Sequence, residues 1–159
     1  MSRPRATYRL QLREGMDFER TAGLAPYLAR LGVSHVYLAP IWTAAPGSTH
    51  GYDVADPGEI EPALGGREGF ARMADAFAAQ GLRVALDIVP NHMAAHPASP
   101  WWASVLEWGA ASARSGHFDI DWRAEKLLLP ILGAPYLEAL ERGDFRAVRR
   151  PGRFGLELY

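Results

Sequence analysis

The residues of this chain best equipped for chemistry fall in two short clusters. Asp87, Asn91 and His92 close the segment LRVALDIVPNH (Leu82 to His92), while His50, Tyr52 and Asp53 close THGYD (Thr49 to Asp53). A carboxylate, an amide and an imidazole can together accept and donate hydrogen bonds to one ligand, and a tyrosine adds a flat apolar face with a polar tip. Each cluster follows a short apolar run, so two strand tips could meet around one ligand. The bland alternative for Asp87 is a capping or ion-paired carboxylate, with Asn91 and His92 as ordinary turn residues. Three such side chains at one strand end favour a substrate rim, because a parallel sheet directs that end toward a crevice.

Metal chemistry fits less well. His92 and His96 have the i, i+4 spacing of a helical metal pair, but Pro97 and Pro100 argue against a long helix, no glutamate adjoins His92 as the zincin pattern requires, and the first strand has no His-x-His. The absence of cysteine excludes thiolate sites and disulfides. No metal and no cofactor are expected.

The elements that must position these clusters alternate along the chain. Thr7 to Leu12 reads as a strand, and Asp17 as the N-cap of a helix from Phe18 to Leu31 that places Leu24, Leu28 and Leu31 on one face and stops at Gly32. Val33 to Leu38 is a second strand. Phe70, Met73, Ala74 and Phe77 mark a second amphipathic helix ending near Gly81, and Arg83 to Ile88 is a third strand. Two strand-helix-strand units in succession predict parallel strands and right-handed crossovers in an α/β sheet or barrel.

The connection from Ala39 to Gly66 is long for such a unit, whose loops usually take about 2–6 residues. Its Trp42, His50, Tyr52 and Asp53, set among prolines and glycines, predict an ordered binding loop; an Ω-loop packed by its own aromatics is the alternative. Beyond His92 a helix is expected from Pro100 to Glu107 behind a Ser99 cap, then a β-rich stretch through Phe154 to Tyr159 with a hairpin turn at Pro151-Gly152. Trp101 and Trp102, with Val105, Leu106 and Trp108, read as helix packing more than as a ligand platform.

Composition bounds the partners. The chain has 159 residues, 48% of them hydrophobic, and a formal net charge of -1, enough for one core and neutral toward polyanions. Sixteen arginines, against Lys126 alone, are dispersed among acids, so nucleic acid is not an expected partner. No apolar run reaches membrane-spanning length, and the start MSRPRATYRLQLRE lacks the apolar stretch of a secretion signal. A cytoplasmic protein with no membrane partner is the expectation; oligomeric state is not legible.

With HGYD (His50 to Asp53) followed in order by DIVPNH (Asp87 to His92), the chain resembles the α-amylase superfamily, glycoside hydrolase family 13. The resemblance extends through YRLQL (Tyr8 to Leu12), APYLARLGVSHVYLAP (Ala25 to Pro40), APGSTHGYDVADP (Ala45 to Pro57), WWASVLEWG (Trp101 to Gly109), FDIDW (Phe118 to Trp122) and LLLPILGAPYLEALERG (Leu127 to Gly143), and over these stretches it is to a glucan-rearranging branch. It implies the amino-terminal portion of a (β/α)8 TIM barrel, about three strands and two helices, over residues 1–96. Residues 97–159 would belong to a mixed α/β domain inserted after the third strand.

The implied activity is intramolecular transglucosylation, in which the reducing-end α-1,4 linkage of a maltooligosaccharide becomes an α,α-1,1 linkage and the product ends in a trehalose unit. Chemically this is retaining glycoside transfer, with the released sugar's anomeric hydroxyl replacing water. By the family's pattern Tyr52 would stack on the sugar, His92 would bond one of its hydroxyls, Asp53 and Asp87 would be supporting carboxylates for sugar or an arginine, and Asn91 would support. Many amylases use the asparagine for calcium, but one amide cannot establish a site of 6–8 oxygens. The family's nucleophile and acid belong to later barrel strands, so no catalytic residue is assigned here, and the isolated chain is expected to be an inactive fragment. Asp53 and Asp87 are poor candidates for a catalytic pair, since nothing in the sequence gives the spacing of roughly 5–9.5 Å or the raised pKa that such a pair needs. A hydrolase of α-glucans and a non-catalytic glucan-binding remnant are the alternatives.

Overall fold

A computed structural model of the chain describes residues 3–124 and 132–158. Residues up to Phe118 form one compact unit and those from Asp119 a second. In the first, three parallel strands, β1 (Thr7–Leu10), β2 (His35–Leu38) and β5 (Arg83–Leu86), lie side by side in that order. Helices α1 (Phe18–Gly23), α2 (Ala25–Leu31) and α3 (Gly66–Ala79) supply the crossovers.

The strands' period of two assigns their faces. Leu10, Val36 and Leu38 are buried with Phe18, Leu28, Met73 and Phe77 from the helices, and Val84 and Leu86 pack against this core. The alternate residues, Arg9, Tyr37 and Ala85, stand in one row across the sheet and face the other way. Asp87 continues that face two residues beyond Ala85, and its N–H extends the ladder by donating to the Leu38 carbonyl at 2.9 Å.

The predicted helix from Phe18 to Leu31 is two helices. Pro26 has no N–H for the Ala22 carbonyl and its ring crowds that turn, so the chain breaks at Leu24. The caps are as expected: the Asp17 side chain accepts from the Arg20 N–H at 2.8 Å, and Gly32 ends α2 at a φ of 85°. The long connection is ordered by an unforeseen antiparallel pair, β3 (Trp42–Ala44) with β4 (Val54–Ile60), whose register shifts twice. No helix among the described residues is long and apolar enough to cross a membrane.

Helix α4 (Pro100–Trp108) begins behind Ser99, whose hydroxyl accepts from the Trp102 N–H at 3.3 Å. Trp102 and Val105 are buried, whereas Leu106 and Trp108 are exposed, so only part of the expected apolar set packs. In the second unit α5 (Tyr136–Arg142) precedes a hairpin of β6 (Phe145–Arg150) and β7 (Arg153–Leu158), turning at Pro151-Gly152 as expected. The start of the stretch that begins at Leu127, residues 127–131, lies outside the described residues.

Candidate functional site

Arg9 comes from the inner row of β1, Asp87 from the end of β5, and Tyr52 from the loop that joins β3 to β4. Their polar atoms meet. The Tyr52 hydroxyl donates to Asp87 Oδ2 at 2.6 Å, and the Arg9 guanidinium reaches the same carboxylate oxygen at 3.1 Å and the phenol oxygen at 2.6 Å. Arg9 also lies over the Tyr37 ring, 4.8 Å from its centroid, so an aromatic face fixes the guanidinium from the sheet side.

Each group changes the others' ionisation. The hydrogen bond from Tyr52, reinforced by Arg9, holds the Asp87 carboxyl below the usual carboxylate value. The same bond to a carboxylate pushes the Tyr52 phenol up, because losing its proton would set two anions together. Asp87, first among its partners, raises the Arg9 guanidinium further. The ensemble is a neutral phenol between a firm cation and a firm anion.

The loop that delivers Tyr52 is tied within itself. The Ser48 hydroxyl donates to Asp53 Oδ1 and accepts from the Gly51 N–H at 3.0 Å. His50 Nδ1 accepts from the Tyr52 N–H at 3.1 Å, and the two rings stack with centroids 5.9 Å apart. That lone pair is used, so neutral His50 carries its proton on Nε2. His50 and Asp53 thus hold the loop, while Tyr52 projects from it. The chain after β5 returns to the same region, where the Ala94 N–H donates to the Val54 carbonyl at 2.8 Å.

Asn91 and His92 are exposed on this returning segment, and His92 Nδ1 lies 3.2 Å from Asn91 Oδ1. An amide oxygen only accepts, so neutral His92 carries its proton on Nδ1 and presents a free acceptor at Nε2. Among the described residues no group of three or more imidazoles and carboxylates converges here.

Sequence reasoning singled out Tyr52 and Asp87, which the structure brings together, but did not single out Arg9 and Tyr37 beside them. The signal was the alternation of TYRL, which puts Arg9 on the face opposite the buried Leu10. The structure gives Asp87 an arginine partner, Arg9 of the first strand.

An inner face bearing such side chains at the carboxyl ends of parallel strands, backed by helices, defines a class. The family model "Alpha amylase, catalytic domain" matches residues 22–118, and the chain belongs to that family. Its similarity narrows further. A maltooligosyl trehalose synthase of Mycobacterium tuberculosis is 44% identical over 138 residues, 81% of this chain and 18% of that protein. An intracellular maltogenic amylase of Bacillus subtilis is 36% identical over 106 residues, 67% of this chain and 17% of that protein.

Among solved structures, a maltooligosyl trehalose synthase superposes with a TM-score of 0.89 at 37% identity, covering 96% of this chain and 21% of that one. The Arthrobacter ramosus maltooligosyltrehalose synthase gives 0.81 at 39% identity, over 90% of this chain and 19% of that one. The sheet and its helices are the amino-terminal part of an α-amylase-type (β/α)8 barrel. The chain spans 18% of the length of the curated synthase it matches.

Proposed function

We propose that this chain supplies one wall of a glucose subsite in an enzyme that rearranges maltooligosaccharides, converting the reducing-end α-1,4 linkage into α,α-1,1. The observation that carries the reading is the bonded group of Arg9, Tyr52 and Asp87 on the inner face of the barrel strands. A pyranose has an apolar C–H face and a rim of hydroxyls. Tyr52 meets the face, and the Nε2 lone pair of His92 accepts from the rim. Asp87 and Arg9 fix the phenol so that its ring is in place before sugar arrives, which lowers the ordering cost of binding.

The bond-breaking carboxylates are those that the family resemblance assigns to barrel strands four, five and seven, so this wall binds and orients. Asn91 supports His92, while His50 and Asp53 support Tyr52. Residues 1–96 act as barrel and residues 97–159 as the segment inserted after the third barrel strand. The setting is the cytoplasm, and the partner is maltooligosaccharide or a longer α-glucan.

Calorimetry of the chain with maltopentaose tests the wall. Binding without product is expected, and Tyr52→Ala should weaken it about two- to tenfold, the loss of an aromatic contact of roughly 0.5–1.5 kcal/mol. Equal affinity of the native chain and Tyr52→Ala would overturn the subsite. Turnover by the chain that Asp87→Asn abolishes would instead make the wall catalytic. Where product forms in a longer polypeptide carrying this segment, loss of reducing ends marks rearrangement and their gain marks hydrolysis.

A further inference from the structure

Arg13 has a different relation to the site from Arg9. Its guanidinium is almost buried, with 8% of the side chain exposed. It donates to the Pro40 carbonyl at 2.8 Å and the Trp42 carbonyl at 3.0 Å, and Glu61 lies 3.8 Å away. Two backbone oxygens on either side of Ile41 therefore receive a forked donor, an arrangement that a lysine's single ammonium cannot reproduce.

The other side of that guanidinium is covered by Gly51. A Cβ built on Gly51 would fall 2.1 Å from Arg13 Nη1 and 2.9 Å from the Pro40 oxygen. Gly51 also has a φ of 81°, which other residues rarely adopt. The backbone immediately before Tyr52 is thus laid directly on the Arg13 guanidinium, and glycine alone permits the approach.

The chain around Arg13 accepts strain to put it there. Arg13 and Glu14 have left-handed φ values of 80° and 49°, followed by Gly15 at 90°, in a turn closed by Arg13 N to Met16 O at 2.9 Å and Met16 N to Arg13 O at 3.0 Å. Two consecutive non-glycine residues in that region persist only where surrounding contacts impose them. Here the contacts are the two carbonyls and the glycine loop.

We infer that Arg13 is the positioning residue for Tyr52: its guanidinium is the floor on which Gly51 rests, and that floor sets where the Tyr52 ring and hydroxyl stand relative to Asp87. The role rests on Tyr52 being the sugar-facing residue, but the placement is measurable without sugar.

The experiment uses the whole chain labelled with carbon-13 at tyrosine Cζ, the Tyr52 resonance being assigned by its loss in Tyr52→Phe. In Arg13→Lys, folded by circular dichroism, the Tyr52 resonance should shift and its phenol should titrate at lower pH than in the native chain, as it loosens from Asp87. Tyr8, Tyr27 and Tyr136, which lie outside this group, should keep their resonances. Gly51→Ala, which lifts the loop from the same floor, should move the same resonance in the same direction. An unmoved Tyr52 signal in a folded Arg13→Lys chain overturns the inference, as does an equal shift of all tyrosines, which would mean general loosening. Should Arg13→Lys not fold, Gly51→Ala decides alone by the same two outcomes. Failure of the native chain to bind maltopentaose would reject the sugar reading and leave this result standing.

Discussion

Tyr52 and Asp87, 35 residues apart in sequence, share one hydrogen bond of 2.6 Å in which the phenol donates and the carboxylate accepts. The bond joins two segments that no local pattern connects: a glycine-bearing loop after the second parallel strand and the tip of the third. Because it favours neutral phenol and charged carboxylate together, neither group is poised to exchange a proton near neutrality. Such a pair suits binding and orientation, and general acid-base chemistry requires other groups.

Acid should weaken the fold through this pair. Asp87 is held below its ordinary value of 3.8, so its contribution is present above that value and lost as pH falls through the lower folded value. Tyr52 is raised above 10.0, so its contribution is complete below that value and lost as pH rises through the raised one. Both shifts describe a single hydrogen bond and are counted once. The urea midpoint should fall more between pH 6 and pH 3 in the native chain than in Tyr52→Phe; equal falls would show that the pair contributes nothing.

Arg9→Met tests the cation separately. Arg9 has 39% of its side chain exposed, so removing its charge should change global stability by less than about 1 kcal/mol. The local effect should be clearer. Without the guanidinium, Asp87 loses one of the groups that depress its pKa, and its carboxyl carbon should titrate at higher pH by NMR. An unchanged Asp87 titration would mean that the contact is absent in solution.

The parallel sheet and its helices were legible because Leu10, Val36, Leu38, Phe18, Leu28, Met73 and Phe77 follow the periods of strand and helix, and burial enforces those periods. The break at Leu24 was not read, although Pro26 stood inside the predicted helix. The β3-β4 pair was not legible. β3 is three residues long, β4 contains Pro57 and Gly58, and two register shifts erase the alternation that would reveal a hairpin. Asp87 could be singled out from residue type and position at a strand end, and Tyr52 from residue type in an unusually long connection. The alternation of TYRL gives the face of Arg9 but not its partners, which lie 43 and 78 residues away.

Phe18→Ala should be the most damaging of the single changes considered. Phe18 is fully buried and meets Phe70 edge to face at 5.6 Å, while Gly69 approaches its ring closely enough that an added Cβ would lie 3.4 Å from it. Helix α1 is thereby seated on α3. A cavity of that size costs about 3–5 kcal/mol, which should appear as a lower urea midpoint with an unchanged slope. A loss below about 1 kcal/mol would show that the two helices do not share this core.

Ser48→Ala separates loop order from global stability. Ser48 uses its hydroxyl twice, donating to Asp53 and accepting from the Gly51 N–H at 3.0 Å, so alanine leaves one acceptor and one donor without their partner. Asp53 is half-buried and water can reach it, which places the cost near the lower end of the roughly 1–3 kcal/mol range for an unmade bond. That cost should fall on the loop, since Ser48 lies outside the helix-sheet core. The Gly51 amide should exchange with solvent several-fold faster while amides of β2 keep their protection, and Ser48→Thr, which restores the hydroxyl, should slow it again. If Gly51 exchange is unaffected by Ser48→Ala, the loop is held without that hydroxyl, by Arg13, His50 and the Ala45 N–H to Asp53 carbonyl bond of 2.9 Å, and the Asp53 carboxylate is left free to meet a ligand.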